Sequence, residues 1–216
     1  MKSLNQYIQE KLVINKKYRD VKIYHPKSFD ELLMIIDDRY KKLGPGTKQD
    51  PIDFNDIDVS NIDSFHDKYS GGIFEGTKFN YIDISDWDVS NVKSTRHMFH
   101  GCDELKSVGD LSKWNVSKVT DMSYMFAFCK KFNQDLSKWD VKKVNDMGYM
   151  FYECEKFDQD ISSWDVGRVT DMECMFFDCK SFNHDLSNWN VSNVIYRYSI
   201  FDDCPIKMKY KPKFKK

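Results

Sequence analysis

The sequence predicts an α/β repeat fold: about five 25-residue units, each a strand, a turn and a short helix, stacked around one continuous core. Three observations carry this. Tryptophan recurs at Trp87, Trp114, Trp139, Trp164 and Trp189, at intervals of 27, 25, 25 and 25. Phenylalanine at Phe99, Phe126, Phe151, Phe176 and Phe201 and cysteine at Cys102, Cys129, Cys154, Cys179 and Cys204 keep the same intervals. Valine does so too, at Val89, Val116, Val141, Val166 and Val191. Residue types of unrelated chemistry share one irregularity, two extra residues around 105–110, so the period is a property of the chain's architecture.

Residues 1–54 lack the period and read as an N-terminal cap region. Leu4, Tyr7, Ile8 and Leu12 mark a short amphipathic helix, and Val21-Lys22-Ile23-Tyr24 a strand. Ser28-Phe29-Asp30-Glu31 is a capping box that opens a helix through Phe29, Leu32, Leu33, Ile36 and Tyr40, stopped by Gly44 and Pro45. An end helix of this kind covers the first unit of a stack, whose apolar side would otherwise face water.

Residues 55–205 form the repeat region. The first copy is degenerate and includes Ile57-Asp58-Val59-Ser60-Asn61-Ile62. In Asp135-Leu136-Ser137-Lys138-Trp139-Asp140-Val141 the apolar residues Leu136, Trp139 and Val141 suit one strand and a tight turn. In Asp146–Cys154, Met147, Met150, Phe151 and Cys154 stand at i, i+3, i+4 and i+7, one helical face. Thr120, Asn145 and Thr170 can cap that helix. Asp83, Asp110, Asp135, Asp160 and Asp185 form a ladder of like charge. At strand spacing, about 5 Å, such a ladder would repel unless its aspartates are hydrogen-bonded to backbone in the next turn, which is the expectation. Residues 206–216 are a basic tail of six lysines interleaved with Tyr210, Pro212 and Phe214. It reads as a solvated, disordered segment; binding an acidic partner, anionic lipid or nucleic acid is the alternative.

The unit F-N-x-D-[LI]-S-x-W-[DN]-V-S-x-V-x-D-M-x-x-M-F-x-x-C is itself recognisable. Phe132–Val141 and Val119–Cys129 resemble the BspA-like leucine-rich-repeat surface proteins over about Phe79 to Cys204. The resemblance implies a right-handed leucine-rich-repeat-like solenoid used for protein binding or adhesion, with a cell-surface location as one possibility. Met1–Glu10 also resembles the short N-terminal peptides that direct internal proteins into tailed-phage capsids; an ordinary capping helix is the other reading. The leading expectation is a non-enzymatic repeat scaffold that binds protein, the alternative a phage-encoded structural or capsid-packaged protein.

The remaining chemistry is sparse. A net charge of −1 gives no global pull toward nucleic acid. No apolar run is long enough to span a membrane, and no secretory signal pattern is visible, which favours a cytoplasmic or virion location, a monomer and free thiols. The five periodic cysteines lack C-x-x-C spacing and partner histidines, and Cys174 lies outside their column, so no metal or other cofactor is expected. Of His25, His66, His97, His100 and His184, only His97 and His100 are close in sequence, and no nucleophile is patterned with them. Repeat positions free of core duty place Lys113, Lys118, Lys138, Lys143 and Arg168 in a basic strip, which reads as a generic solvated face or as the candidate surface for an acidic partner. The Asp ladder makes the first prediction. Asp135→Ala is expected to lower stability by about 1 kcal/mol, the worth of one hydrogen-bonded turn. A thermal midpoint equal to wild type would show that the ladder is not bonded to backbone.

Overall fold

The computed structural model describes residues 24–214. The Leu4–Leu12 helix, most of the 21–24 strand, the Met1–Glu10 segment, Lys215 and Lys216 lie outside them. Among the described residues, regular structure is sparse. There is one α-helix, α1 (Phe29–Leu43), two single-turn 3-10 helices (Leu111–Lys113 and Met208–Tyr210), and four two-residue strands: β1 (Ile52–Asp53), β2 (His66–Asp67), β3 (Gly71–Gly72) and β4 (Ile82–Asp83). β1 pairs with β4 in parallel and β2 with β3 in an antiparallel hairpin.

The helix starts where the capping box puts it. Ser28 Oγ accepts the Glu31 N–H, and Glu31 reaches back to the Lys27 N–H at 2.8 Å. Gly44, at φ 73°, ends it with its N–H on the Tyr40 carbonyl, a left-handed position that costs glycine little. Leu32 and Ile36 are buried in the core, and the Tyr40 ring meets Phe79 edge-on at 4.7 Å. Arg39 forks onto both oxygens of Asp56 at 2.7 and 2.9 Å. The helix is thereby fastened over the first coil.

The repeat is a stack of coils joined by single parallel bridges. They run from Ser64 to Ser94, Asp121, Asp146, Asp171 and Tyr196. The helix expected over Met147–Cys154 is not formed; that segment is a run of tight turns. The reason lies in the backbone donors. Met147, Tyr149, Phe151 and Glu153 give their N–H groups to the carbonyls of Asp171, Glu173, Met175 and Phe177 in the next coil. Met150, Tyr152 and Cys154 give theirs to Met147, Tyr149 and Phe151 within the coil, three residues back. An α-helix would keep every donor inside the segment. Turns of this kind return the chain every three residues, so Met147, Met150, Phe151 and Cys154 still share the buried face. The expected strand over Leu136–Val141 is likewise replaced by two turns, closed by Trp139 N–H to Leu136 and Val144 N–H to Val141.

The periodic residues fill columns through this stack. Phe74, Phe99, Phe126, Phe151, Phe176 and Phe201 stack ring on ring, the centroids of successive rings 5.3 to 5.9 Å apart. Each Trp indole also has a polar task. Nε1 of Trp87, Trp114, Trp139 and Trp164 donates to the carbonyl of Phe54, Ile84, Leu111 and Leu136 respectively, at 2.9 to 3.2 Å. The thiols of Cys102, Cys129, Cys154 and Cys179 donate to the carbonyls of Phe74, Phe99, Phe126 and Phe151 at 2.9 to 3.0 Å. All six cysteines are free. Burial pushes the Cys102 thiol up to about 12 and the Cys129 and Cys179 thiols well above their usual value. The cysteine column is thus a row of inert donors.

The aspartate ladder is bonded to backbone. Asp83, Asp110, Asp135, Asp160 and Asp185 each accept the N–H of the serine two residues on, at 2.8 to 3.0 Å. Hydrogen bonds from that serine lower the carboxyl pKa of Asp110, Asp135, Asp160 and Asp185.

The tail departs from its expectation. Residues 206–214 are packed on the last coil. Ile206 is buried, the Leu186 N–H donates to the Tyr210 carbonyl, and Arg197 lies over the Phe214 ring. Phe201 and Cys204 of the last described coil are partly exposed, and the alternating apolar residues of the tail pack onto that coil. The lysines Lys207, Lys209 and Lys213 point to solvent.

Trp189 Nε1 is buried without a hydrogen-bond partner among the described residues. This supplies a control. Trp139→Phe removes a made bond, a cost of about 0.5–1.5 kcal/mol, while the Leu111 carbonyl keeps the Trp114 N–H. Trp189→Phe loses similar ring volume and no bond. Calorimetric unfolding is expected to rank Trp139→Phe clearly below Trp189→Phe; equal midpoints would deny the indole bonds a role.

Candidate binding face

The turns after each bridge residue hold non-glycine residues in the left-handed region. His97, Tyr124, Tyr149, Cys174 and Ser199 have φ between 51° and 59°. Such conformations cost about 1–3 kcal/mol and persist where the surroundings enforce them. Here the split of the backbone donors enforces them, and they line up one column of side chains along the stack. Tyr124 stacks on Tyr149 at 4.5 Å with planes 4° apart, and His97 stacks on Tyr124 at 4.8 Å. A second row runs alongside: His100 meets Phe128 at 5.4 Å, Phe128 meets Tyr152 at 5.1 Å, and Tyr152 stacks on Phe177 at 5.0 Å. These rings are half-buried, neither core nor free. Arg96 lies over Tyr124 and donates to Ser123 Oγ at 2.8 Å, while Tyr149 donates its hydroxyl to Glu173 at 2.9 Å. Burial raises the pKa of Tyr124 and Tyr152, and burial followed by the Glu173 bond raises that of Tyr149.

Beside the rings runs the bridge column Asp121, Asp146 and Asp171. Asp146 accepts the Gly148 N–H at 2.9 Å and Asp171 the Glu173 N–H at 2.8 Å. Burial, reinforced by the charges of Asp121 and Asp171, lifts the Asp146 carboxyl to about 6. Burial also raises Asp171. At the start of the face, Glu75, His97 and His100 bring one ligand atom each within 4.8 Å of one another. His97 and His100 are visible as a close pair in the sequence. Glu75 is not, although stepping the Phe99 column back to Phe74 puts it one period before His100.

The basic strip is exposed throughout. Lys113 and Lys138 sit on the first turn of their coils, Lys118, Lys143 and Arg168 on the second. Lys118 Nζ donates to Asn91 Oδ1 at 2.8 Å across coils. Lys113, Lys138 and Lys143 each stand near a carboxylate of their own coil, Asp110, Asp135 and Asp140. The strip is therefore interleaved with acid.

Stacked coils, with core columns inside and ring and charge ladders outside, define a tandem-repeat protein. More particularly, residues 48–111 and 105–211 match the family described as Mycoplasma protein of unknown function, DUF285, and the chain belongs to that family. No curated protein and no solved structure matches it. No helix among the described residues is long and apolar enough to cross a membrane.

Asp146 gives a pH prediction. Its folded pKa lies above the unfolded value near 3.8, so folding favours the protonated form. The associated stability is complete below pH 4 and is lost as pH rises through about 6. Asp146→Asn removes this loss. The group keeps partial solvent contact, so the gain at pH 7 is discounted to about 1 kcal/mol. Urea unfolding across pH 3–8 is expected to show the variant and wild type converging in acid; a constant difference would contradict the assignment.

Proposed function

We propose that the chain is a right-handed leucine-rich-repeat-like solenoid of the BspA-like kind, acting as a non-enzymatic scaffold that binds a protein partner. The observation that carries this reading is the double row of half-buried rings spanning His97 to Phe177. Aromatic side chains bring large contact area at small entropy cost, and they concentrate binding energy at protein interfaces. The rows run across several coils, which suits an extended polypeptide surface better than a small molecule. The polar rim of Arg96, Asp171 and Glu173 beside them fits the usual arrangement of an apolar centre within a polar border. The basic strip is the competing surface, for a partner with an acidic face.

Both surfaces are tested in one experiment. Partners captured from the producing cell by wild-type protein are compared with those held by Tyr124→Ala/Tyr152→Ala and by Lys118→Glu/Lys143→Glu/Arg168→Glu. The first pair is expected to cut affinity at least tenfold and the second set to leave it unchanged. The reverse result moves the interface to the strip. No stoichiometric partner of any form of the protein would sink the scaffold reading.

A further inference from the structure

Besides the two extra residues around 105–110, the 25-residue register is broken near the start of the stack. Ser64 to Ser94 spans 30 residues, whereas Phe74 to Phe99 spans 25. The surplus is the β2–β3 hairpin, which leaves the coil at Phe65 and rejoins it where the Ile73 N–H donates to the Phe65 carbonyl. Where the hairpin rejoins, the chain runs so close to the next coil that a Cβ at Gly72 would collide with the His97 carbonyl. Glu75 follows directly.

Glu75 is held from two sides. Its Oε2 accepts the Gly72 N–H at 2.8 Å, and its Oε1 lies 3.0 Å from His100 Nδ1. His97 Nδ1 is 3.7 Å from Oε2. The three side chains are 21 to 30% exposed, shielded on the core side and open on the other. The His66 ring stands beside His97, with centroids 5.6 Å apart. A tetrahedral ion with bonds of about 2.1 Å sets its ligands about 3.4 Å apart. His100 faces Oε1 and His97 faces Oε2 of the same carboxylate, and one ligand atom from each of the three residues lies within 4.8 Å of the other two. Two imidazoles and one carboxylate are also the donor set of open zinc sites, with a fourth position left for water or an outside ligand. A groove of about 370 Å³ between α1 and the hairpin is lined by Met34, Tyr40, Ile73 and Glu75.

We infer that Glu75, His97 and His100 form a binding site for one divalent transition-metal ion of the zinc type. The site goes beyond the scaffold reading and does not depend on it. In the other coils the positions of His97 and His100 hold Tyr124 and Ala127, Tyr149 and Tyr152, and Cys174 and Phe177, so the stacked architecture does not itself require histidine there. The ion would join the hairpin insertion to the coil that follows.

The test is titration of the full chain with zinc by calorimetry and with cobalt(II) by visible absorption. One equivalent is expected to bind saturably, with the cobalt spectrum of a low-coordinate nitrogen and oxygen site. His100→Gln and Glu75→Gln are each expected to weaken binding at least tenfold, with thermal midpoints of the metal-free proteins near wild type. Tyr149→Phe, which is not in the ligand set, is expected to bind normally. Three results would overturn the site: no saturable binding, binding that survives both ligand substitutions, or the charge-transfer band of a cysteine thiolate on cobalt.

Discussion

Alternation of backbone donors governs this molecule. Along each bridge segment, one N–H in two goes to the next coil and the intervening ones close turns within the coil. That division holds neighbouring coils at backbone hydrogen-bond distance and in register, so a residue meets its counterpart one period away. Ring stacking, the indole bonds and the thiol bonds all follow from that meeting. It also explains the left-handed residues, because a chain that turns every three residues while facing its neighbour cannot stay in one helical basin. A buried backbone carbonyl must be paired, and the carbonyls at the Phe and Leu positions, which already accept a turn-closing N–H from their own coil, take an indole or a thiol of the following coil as second donor.

A stack built in this way spends its periodic residues on itself. Trp139 and Cys154 have both their apolar bulk and their single polar group engaged within the core. Chemistry free for other use lies where the period lapses: at the hairpin insertion, at the terminal coils, and on the outward side chains that vary from coil to coil. The two ends solve their exposure differently. The first coil takes a capped helix fastened by Arg39 and Asp56, whereas the last described coil is covered by a short tail, with one 3-10 turn at Met208–Tyr210, whose apolar residues alternate with lysine. Ile195, Tyr196 and Tyr198 remain exposed on that last coil, where no further coil pairs with the bridge column.

Much of this organisation is legible in the chain. The period, the two-residue insertion, the α1 boundaries and the need for bonded aspartates all follow from residue spacing and side-chain chemistry. The repeat helix was misleading because apolar residues at i, i+3, i+4 and i+7 mark any chain that turns about every three residues. Hydrogen bonds to a neighbouring coil, which decide between helix and serial turns, leave no local mark. The tail was misleading for a related reason. Its lysine content suggests solvation, and only the uncovered face of the last coil gives Ile206 and Phe214 somewhere to pack. The ring rows were partly hidden too, since Tyr124 and Tyr149 follow the period while Phe128, Tyr152 and Phe177 come from two neighbouring columns.

The sequence by itself determined which residues form the core and how often, because burying Trp, Phe, Met, Val and Cys at a fixed interval has one economical solution, the stacking of equivalent units. Tertiary structure alone decided what each unit is made of and which distant side chains share a surface. Glu75 reaches His97 and His100 only because a coil lays residues 22 and 25 positions apart against each other. The contact is made by hydrogen bonds between coils, and those exist only once the stack has formed.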